Sequence, residues 1–436
     1  MARGGTAQDS RAAPPRSAGL TLWAFAAFVA GGKQGDFMLD IDFVRAQFPA
    51  FDVDALKDQA FFENAGGSYA CQPVIDRLTR YYVERKVQPY APYAASHAAG
   101  AEMDEARARL SALLGVQPAE LSFGPSTTQN TYVLAQAFRR FMAPGEAIVV
   151  TNQDHEANSG PWRRLAEDGI EIREWRMDPD TGSLCTDALE KLLDEKVRLV
   201  CFPHCSNVVG EINPVVEITA RAHAAGAFVC VDGVSYAPHG LPHVGSLGAD
   251  IYLFSAYKTY GPHQGIMVIR QALAEALPNQ AHHFNGGTLY KRFTPAGPDH
   301  AQVAACAGIA DYIDALAAHH GTDAGGVHDL MRAHEVALLQ PLLDAVKDRN
   351  SVRLLGPARA EGRAPTVALA LNRPGAEVAA ELASHGIMAG GGDFYAGRAL
   401  TGLGLDETRG VLRLSFVHYT SQAEVAKLID ALDALL

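Results

Sequence analysis

The chain has 436 residues, 48% hydrophobic and 20% charged, with a formal net charge of -12 at pH 7. That length supports a large core with a second, smaller domain, and the composition is ordinary for a globular enzyme. The negative balance excludes nucleic acid as an expected partner, because phosphate backbones select basic faces. The six cysteines, Cys71, Cys185, Cys201, Cys205, Cys230 and Cys306, are scattered, several within or beside apolar runs. This is the pattern of reduced core thiols in a cytoplasmic protein. Cys201, His204 and Cys205 lie close together but have no partner pair at ligand spacing, so no metal is expected.

Residues 1–37 differ from the rest. Met1 to Gly19 is rich in Ala, Arg, Pro, Ser and Gly, which reads as a disordered tail. Leu20 to Ala30 is apolar but only about 11 residues long, too short to span a bilayer. After Arg11 and Arg16 it has the form of a signal-peptide core. The reading we favour is that Met38 is the true start and 1–37 a non-native extension, since no disulfide pattern follows. No later segment reads as a membrane span.

From Asp40, which can cap a short helix to Phe48, the elements alternate. Phe61 to Gly67 reads as a short strand entering a tight glycine turn, and Gln72 to Arg85 has helical spacing. A loop over 88–96 precedes a helix, Gly100 to Leu114, ended by Gly115. Leu121 to Gly124 is a strand, and Ser126-Thr127-Thr128 opens the next helix. Hydroxyls and free amides at a helix start make a phosphate cradle; simple N-capping requires the same residues. Further strands are expected at 147–151, 170–175, 197–203, 228–231, 251–254 and 265–269, with helices at 186–193 and 214–225.

Strands alternating with helices imply a mostly parallel sheet with helices on both faces. The strand exits at Ser126, His155, Asn207, Asp232 and Lys258 should then gather along one edge, where α/β sheets bind ligands. From Asn285 the pattern changes to two long helices, near 302–318 and 326–347. An α+β region follows to the end. The expected fold is therefore α/β: a large domain over 38–300, with the N-terminal segment contributing to a small domain, then linking helices and the small α+β C-terminal domain over 301–436.

Two apolar runs end on charges, Asp232 and Lys258. Buried strands that deliver charges are costly unless those charges have a task. An acid and a lysine at one sheet edge suit pyridoxal phosphate (PLP), the lysine as a Schiff base with its aldehyde and the acid on its ring nitrogen.

The ordered set of motifs resembles the fold-type I PLP enzymes, in the class V aminotransferase family and its cysteine desulfurase-like branch. The motifs are the run 61–67, Ser126-Thr127-Thr128, Asp154-His155-Glu156-Ala157-Asn158, the run 207–214, Asp232-Gly233, Ser255-Ala256-Tyr257-Lys258 and Leu412-Arg413-Leu414-Ser415. The resemblance implies a large PLP-binding domain and a role for each matching residue. Lys258 would be the Schiff-base lysine and His155 the residue stacked on the ring. Asp232 would pair with the ring nitrogen and Asn207 with the ring hydroxyl, while Thr127, Thr128 and Ser255 would hold the phosphate. Tyr257 stands where desulfurases carry histidine, and Ser235 where they carry glutamine. Arg413 would fork onto the substrate carboxylate, and Asn64, Ala65 and Gly66 would line the substrate side. The resemblance also implies a homodimer with shared active sites, in which Thr294 and Gly297 reach towards the partner.

One departure concerns sulfur. A desulfurase carries a nucleophilic cysteine on a loop before the carboxylate-binding arginine. Here that loop, 388–398, holds Asp393, Tyr395 and Arg398 and no cysteine. The expected reaction is therefore PLP chemistry on a small amino acid by transamination, racemisation or elimination. Desulfuration or C–S cleavage by another thiol route stays open, as does amino-acid epimerisation. From a different class, a non-catalytic PLP-binding protein would not need Lys258, Asp232 and Arg413 together. A metal hydrolase using His155, His204 and His239 lacks the HExxH spacing.

Overall fold

Short apolar runs form the strands: β1 (Ala60–Phe61), β2 (Leu121–Gly124), β3 (Ala147–Thr151), β4 (Glu171–Trp175), β5 (Val197–Pro203), β6 (Phe228–Asp232), β7 (Ile251–Ser255) and β8 (Gly265–Ile269). After a long helical stretch come β9 (Val352–Leu354), β10 (Thr366–Leu371), β11 (Ile387–Met388), β12 (Gly390–Gly392) and β13 (Val411–Ser415). The computed structural model describes residues 38–436, so the expectations for 1–37 lie outside the described residues. Residues 39–436 form one compact unit.

Strands β2 to β8 make a seven-stranded sheet in the order β2-β8-β7-β6-β5-β3-β4. The pairs from β4 through β7 are parallel, and β8 runs antiparallel to both β7 and β2. Alternate side chains feed two cores. Ile148, Val150, Ile251 and Leu253 join one cluster, while Val149, Tyr252 and Phe254 join the other. A sheet covered on both faces needs apolar residues at every position, which is why β3, β7 and β8 read as continuous apolar runs. The edge strand β4, with Glu171 and Arg173 reaching solvent, departs from that rule.

The C-terminal half builds an antiparallel sheet, β12-β13-β10-β9. Its core comes from the helix Ala324–Val346, through Leu339, Leu342 and Leu343, and from Leu382, Leu428 and Leu432. Strand β1 pairs in parallel with β11, Ala60 opposite Ile387 and Phe61 opposite Met388. The beginning of the described chain is thus bound to its end. Ala389 separates β11 from β12, and the two pair with different partners.

One expected boundary moves. The helix expected from Gly100 starts at Ala94, because Ser96 ties the preceding turn by donating to Gln88 O and accepting from Ala91 N. Helices His300–Ala305 and Ala307–His320, expected as linking helices, pack on helices Gln72–Glu84 and Ala94–Leu114. Small residues allow the approach: a Cβ at Gly308 would lie 2.5 Å from Val74 N. The segment His300–His320 is apolar enough for a membrane span, yet most of it is buried within the fold.

Gly265 lets β8 pass under the start of the helix Thr127–Phe141, since an added Cβ would fall on the backbone of Ser126 and Thr127. Gly265→Ala should lower stability by about 1–3 kcal/mol through overpacking, read as an earlier denaturant midpoint. An unchanged midpoint would show that the two backbones are not held this close.

Candidate active site

The strand exits meet at a cavity of about 330 Å³. Ser126, Thr127 and Thr128 enter after β2, and His155 and Ala157 after β3. Asn207 and Cys205 follow β5, Asp232 and Ser235 follow β6, and Ser255, Tyr257, Lys258 and His263 follow β7. Every residue assigned to cofactor binding from sequence lines this one space.

Lys258 is buried, and among the described residues its Nζ donates to no acceptor. Burial, with help from the Arg413 charge, pushes its pKa down to about 8, while Asp232 and Glu63 oppose the shift. Asp232 is buried and accepts one hydrogen bond, from Val234 N at 2.8 Å. Burial pushes its carboxyl up to about 6 against that bond and the Lys258 charge. Beneath it, Asp154 accepts from Thr151 Oγ1 at 2.6 Å and Asn158 Nδ2 at 3.0 Å. Burial pushes Asp154 up to about 8, with Asp232 adding a smaller push. A buried acid and a buried amine, neither well paired, form a site that a charged ligand completes.

His155 caps the helix Glu156–Arg163, its Nδ1 accepting from Ala157 N at 3.0 Å. That bond fixes the ring over the cavity. Burial, then the charges of Lys258 and Arg413, push its pKa down to about 3, so the ring is a neutral aromatic face at physiological pH. Asn207 Nδ2 donates to Phe394 O at 3.0 Å, and its buried Oδ1 has no partner among the described residues.

The start of the helix Thr127–Phe141 carries the expected cap. Ser126 Oγ accepts from Gln129 N, as capping requires. Thr127 Oγ1 and Ser255 Oγ lie 2.8 Å apart, joining the helix start to the end of β7. The first amides of a helix have no internal acceptor, so an anion is favoured there. The residues present therefore fit PLP: an anion cradle, an acid, an unpartnered amide oxygen, an aromatic face and a desolvated amine share one cavity.

The substrate-side residues sit apart from that cavity. Arg413, on β13, is buried and donates from Nη2 to Glu63 Oε1 at 2.6 Å and from Nη1 to Asn207 O at 3.3 Å. The Phe394 ring covers its guanidinium at 3.8 Å. The Asn64 side chain is used inside the fold: Nδ2 donates to Phe61 O and Ser415 O, and Oδ1 accepts from Tyr419. It ties β1 to β13 rather than facing the main cavity. Ala65 N donates to Ser415 Oγ, and Asn64 and Ala65 line a small space behind Lys258. Gly66 packs against the Glu63 side chain. Thr294 donates to Phe123 O of its own chain at 3.2 Å.

Sequence reasoning missed His263, Glu63 and Phe394. His263 stacks on Tyr257, ring centroids 4.8 Å apart and planes 5° apart; its spacing from Lys258 carried no recognisable signal. Glu63 lay inside a quoted motif, but its ion pair spans 350 residues of sequence. Phe394 and Tyr395 both adopt positive φ, 54° and 55°, which bulky residues seldom do. In the same loop Arg398 pairs with Glu156 and Asp393 Oδ1 accepts from Tyr395 N.

A model of the family Aminotransferase class-V matches residues 60–428. An aminotransferase-like protein of Gibberella zeae is 34% identical over 411 residues, covering 91% of this chain and 98% of its own length. A cysteine desulfurase of Serratia proteamaculans is 31% identical over 420 residues, covering 91% of this chain and 98% of its own. The solved apo cysteine desulfurase of Thermococcus onnurineus superposes with a TM-score of 0.80 at 24% identity, over 90% of this chain and 97% of that one. At that identity it speaks for the fold.

Because the folded chain raises the Asp232 pKa from 3.8 to about 6, it holds that proton more tightly than the unfolded chain does. The resulting stabilisation is complete below the unfolded value and is lost as pH rises through 6. Without PLP, Asp232→Asn should therefore gain up to about 3 kcal/mol on wild type between pH 4 and pH 7. Denaturation midpoints across that range read the difference; a difference independent of pH would contradict it.

Proposed function

The chain belongs to the class-V aminotransferase family and is a PLP-dependent enzyme, and from that premise we propose that it acts on a small amino acid at the α-carbon, without an enzyme-bound persulfide. The observation that carries this reading is the shared cavity in which Lys258 and Asp232 lie desolvated and underpaired. When bound there, PLP would supply an aldehyde carbon and an electron-withdrawing ring.

The protein's own residues do the rest. Thr127, Thr128 and Ser255 would hold the phosphate, with Tyr257 and His263 beside them. Asp232 would face the ring nitrogen and keep its proton in place, Asn207 and Ser235 would take the ring hydroxyl, and His155 would lie on the ring face. Lys258, with its pKa pushed down to about 8, is partly neutral at physiological pH and suited to taking a proton from the substrate Cα. Arg413 would orient that substrate by its carboxylate, and Phe394 would screen the guanidinium from water.

Sulfur chemistry by the usual route finds no support. Loop 388–398 has no cysteine, and none follows Cys306. Five cysteines are buried, and only Cys185 is exposed. Cys205 does line the cavity, but burial pushes its thiol up to about 12 and its Sγ donates to Gly210 O, so it is no ready nucleophile. Transamination, racemisation and β- or γ-elimination fit this residue set. A homodimer is part of the same proposal: Tyr82, Tyr90, Tyr93 and Phe284 are about half or more exposed, the kind of aromatic surface that subunit contacts cover.

Protein supplied with PLP should absorb in the visible, and Lys258→Ala should change that band and abolish turnover; an unaltered spectrum and rate would sink the assignment. Arg413→Lys should raise KM for the amino acid by about tenfold or more, because a point charge replaces a planar fork. Alkylating accessible thiols should leave turnover unchanged, whereas alkylation that abolishes sulfide release from cysteine would restore the persulfide reading.

A further inference from the structure

Arg413 already holds a carboxylate, and that carboxylate belongs to the chain itself. Glu63 Oε1 accepts from Nη2 at 2.6 Å. The second oxygen, Oε2, is buried with no partner among the described residues. Two glycines make the slot: a Cβ at Gly66 would lie 2.9 Å from Oε1, and one at Gly390 would lie 2.5 Å from Oε2. The guanidinium is otherwise committed, with Nη1 on Asn207 O, Phe394 over one face, and Nε buried and unpartnered.

A carboxylate that binds an arginine at two points uses either Nε with Nη2 or Nη1 with Nη2. Both forks run through Nη2. An incoming substrate carboxylate therefore displaces Glu63 or lies directly against its charge. We propose that Glu63 is a specificity-determining residue: an internal carboxylate that occupies Arg413 at rest, weakens the site for anions, and rejects substrates bearing a second carboxylate. The inference rests on Arg413 being the substrate anchor. With Glu63 in place the subsite is close to neutral, and one carboxylate is the most it accommodates. A dicarboxylic amino acid would bring a second negative charge beside Oε2, which has no donor to share and lies where desolvation strengthens repulsion.

The test compares carboxylate binding by the wild-type, Glu63→Gln and Arg413→Gln holoenzymes, using calorimetry with propionate and with succinate. Glu63→Gln keeps the shape of the slot and removes the charge. It should bind propionate about tenfold more tightly than wild type, and gain more for succinate than for propionate. Had Glu63 served only to orient Arg413, the same substitution would weaken both ligands; weaker or unchanged binding overturns the proposal. Arg413→Gln separates the two levels. If it leaves the tighter propionate binding of a Glu63→Gln background intact, the anchor assignment fails as well as the inference. If it abolishes that binding, both stand. Should Glu63→Gln fail to fold, Glu63→Asp, which withdraws the carboxylate by one methylene, should also tighten propionate; equal or weaker binding by that variant overturns the proposal.

Discussion

Everything at the active site depends on two charges held out of water at the ends of adjacent strands. Asp232 closes β6 and Lys258 follows β7, and these strands pair in parallel. Burial raises the acid to about 6 and lowers the amine to about 8. Each shift is a free-energy penalty borne by the folded chain, and a ligand with a ring cation and an electrophilic carbon relieves both. The strands can deliver these groups because the seven-stranded sheet is apolar on both faces and covered on both sides, so water does not reach the charges from below. Asp154, whose carboxyl burial pushes up to about 8 and which accepts from Thr151 and Asn158, adds polarity near Asp232 at a smaller cost in charge repulsion.

The site divides by what builds it. The residues assigned to the cofactor stand on strand ends and helix starts of the large sheet, elements that fix side chains closely. Those proposed for the substrate stand on β13, on the turn after β1 and on the loop after β12, where Arg413, Glu63 and Phe394 meet. Such an arrangement suits a family in which the cofactor is constant and the substrate varies. It also explains the two strained residues at 394 and 395: holding an aromatic ring over a buried guanidinium and a carbonyl on Asn207 takes a backbone shape that an ordinary turn does not give.

The large sheet and its edge were legible from sequence because its inner strands are short apolar runs ended by polar exits, and doubly covered parallel strands leave that trace. The cap at Ser126 was legible for a similar local reason. The packing of His300–His320 was not, since alanine-rich helices look alike whichever neighbour they meet. Asn64 was expected at the substrate, yet its amide is taken up by Ser415 and Tyr419, partners about 350 residues away in sequence. Glu63 was hidden for the same reason. Residues whose role is set by a distant partner carry no periodicity, while those set by their own strand do.

The most direct measurement is to supply the protein with PLP, reduce it with borohydride, digest it and find by mass spectrometry which lysine carries the pyridoxyl group. The desolvated amine at the end of β7 predicts a single modified site, Lys258. A group on another lysine, or on none, would contradict the claim that this pair of buried charges exists to hold the cofactor.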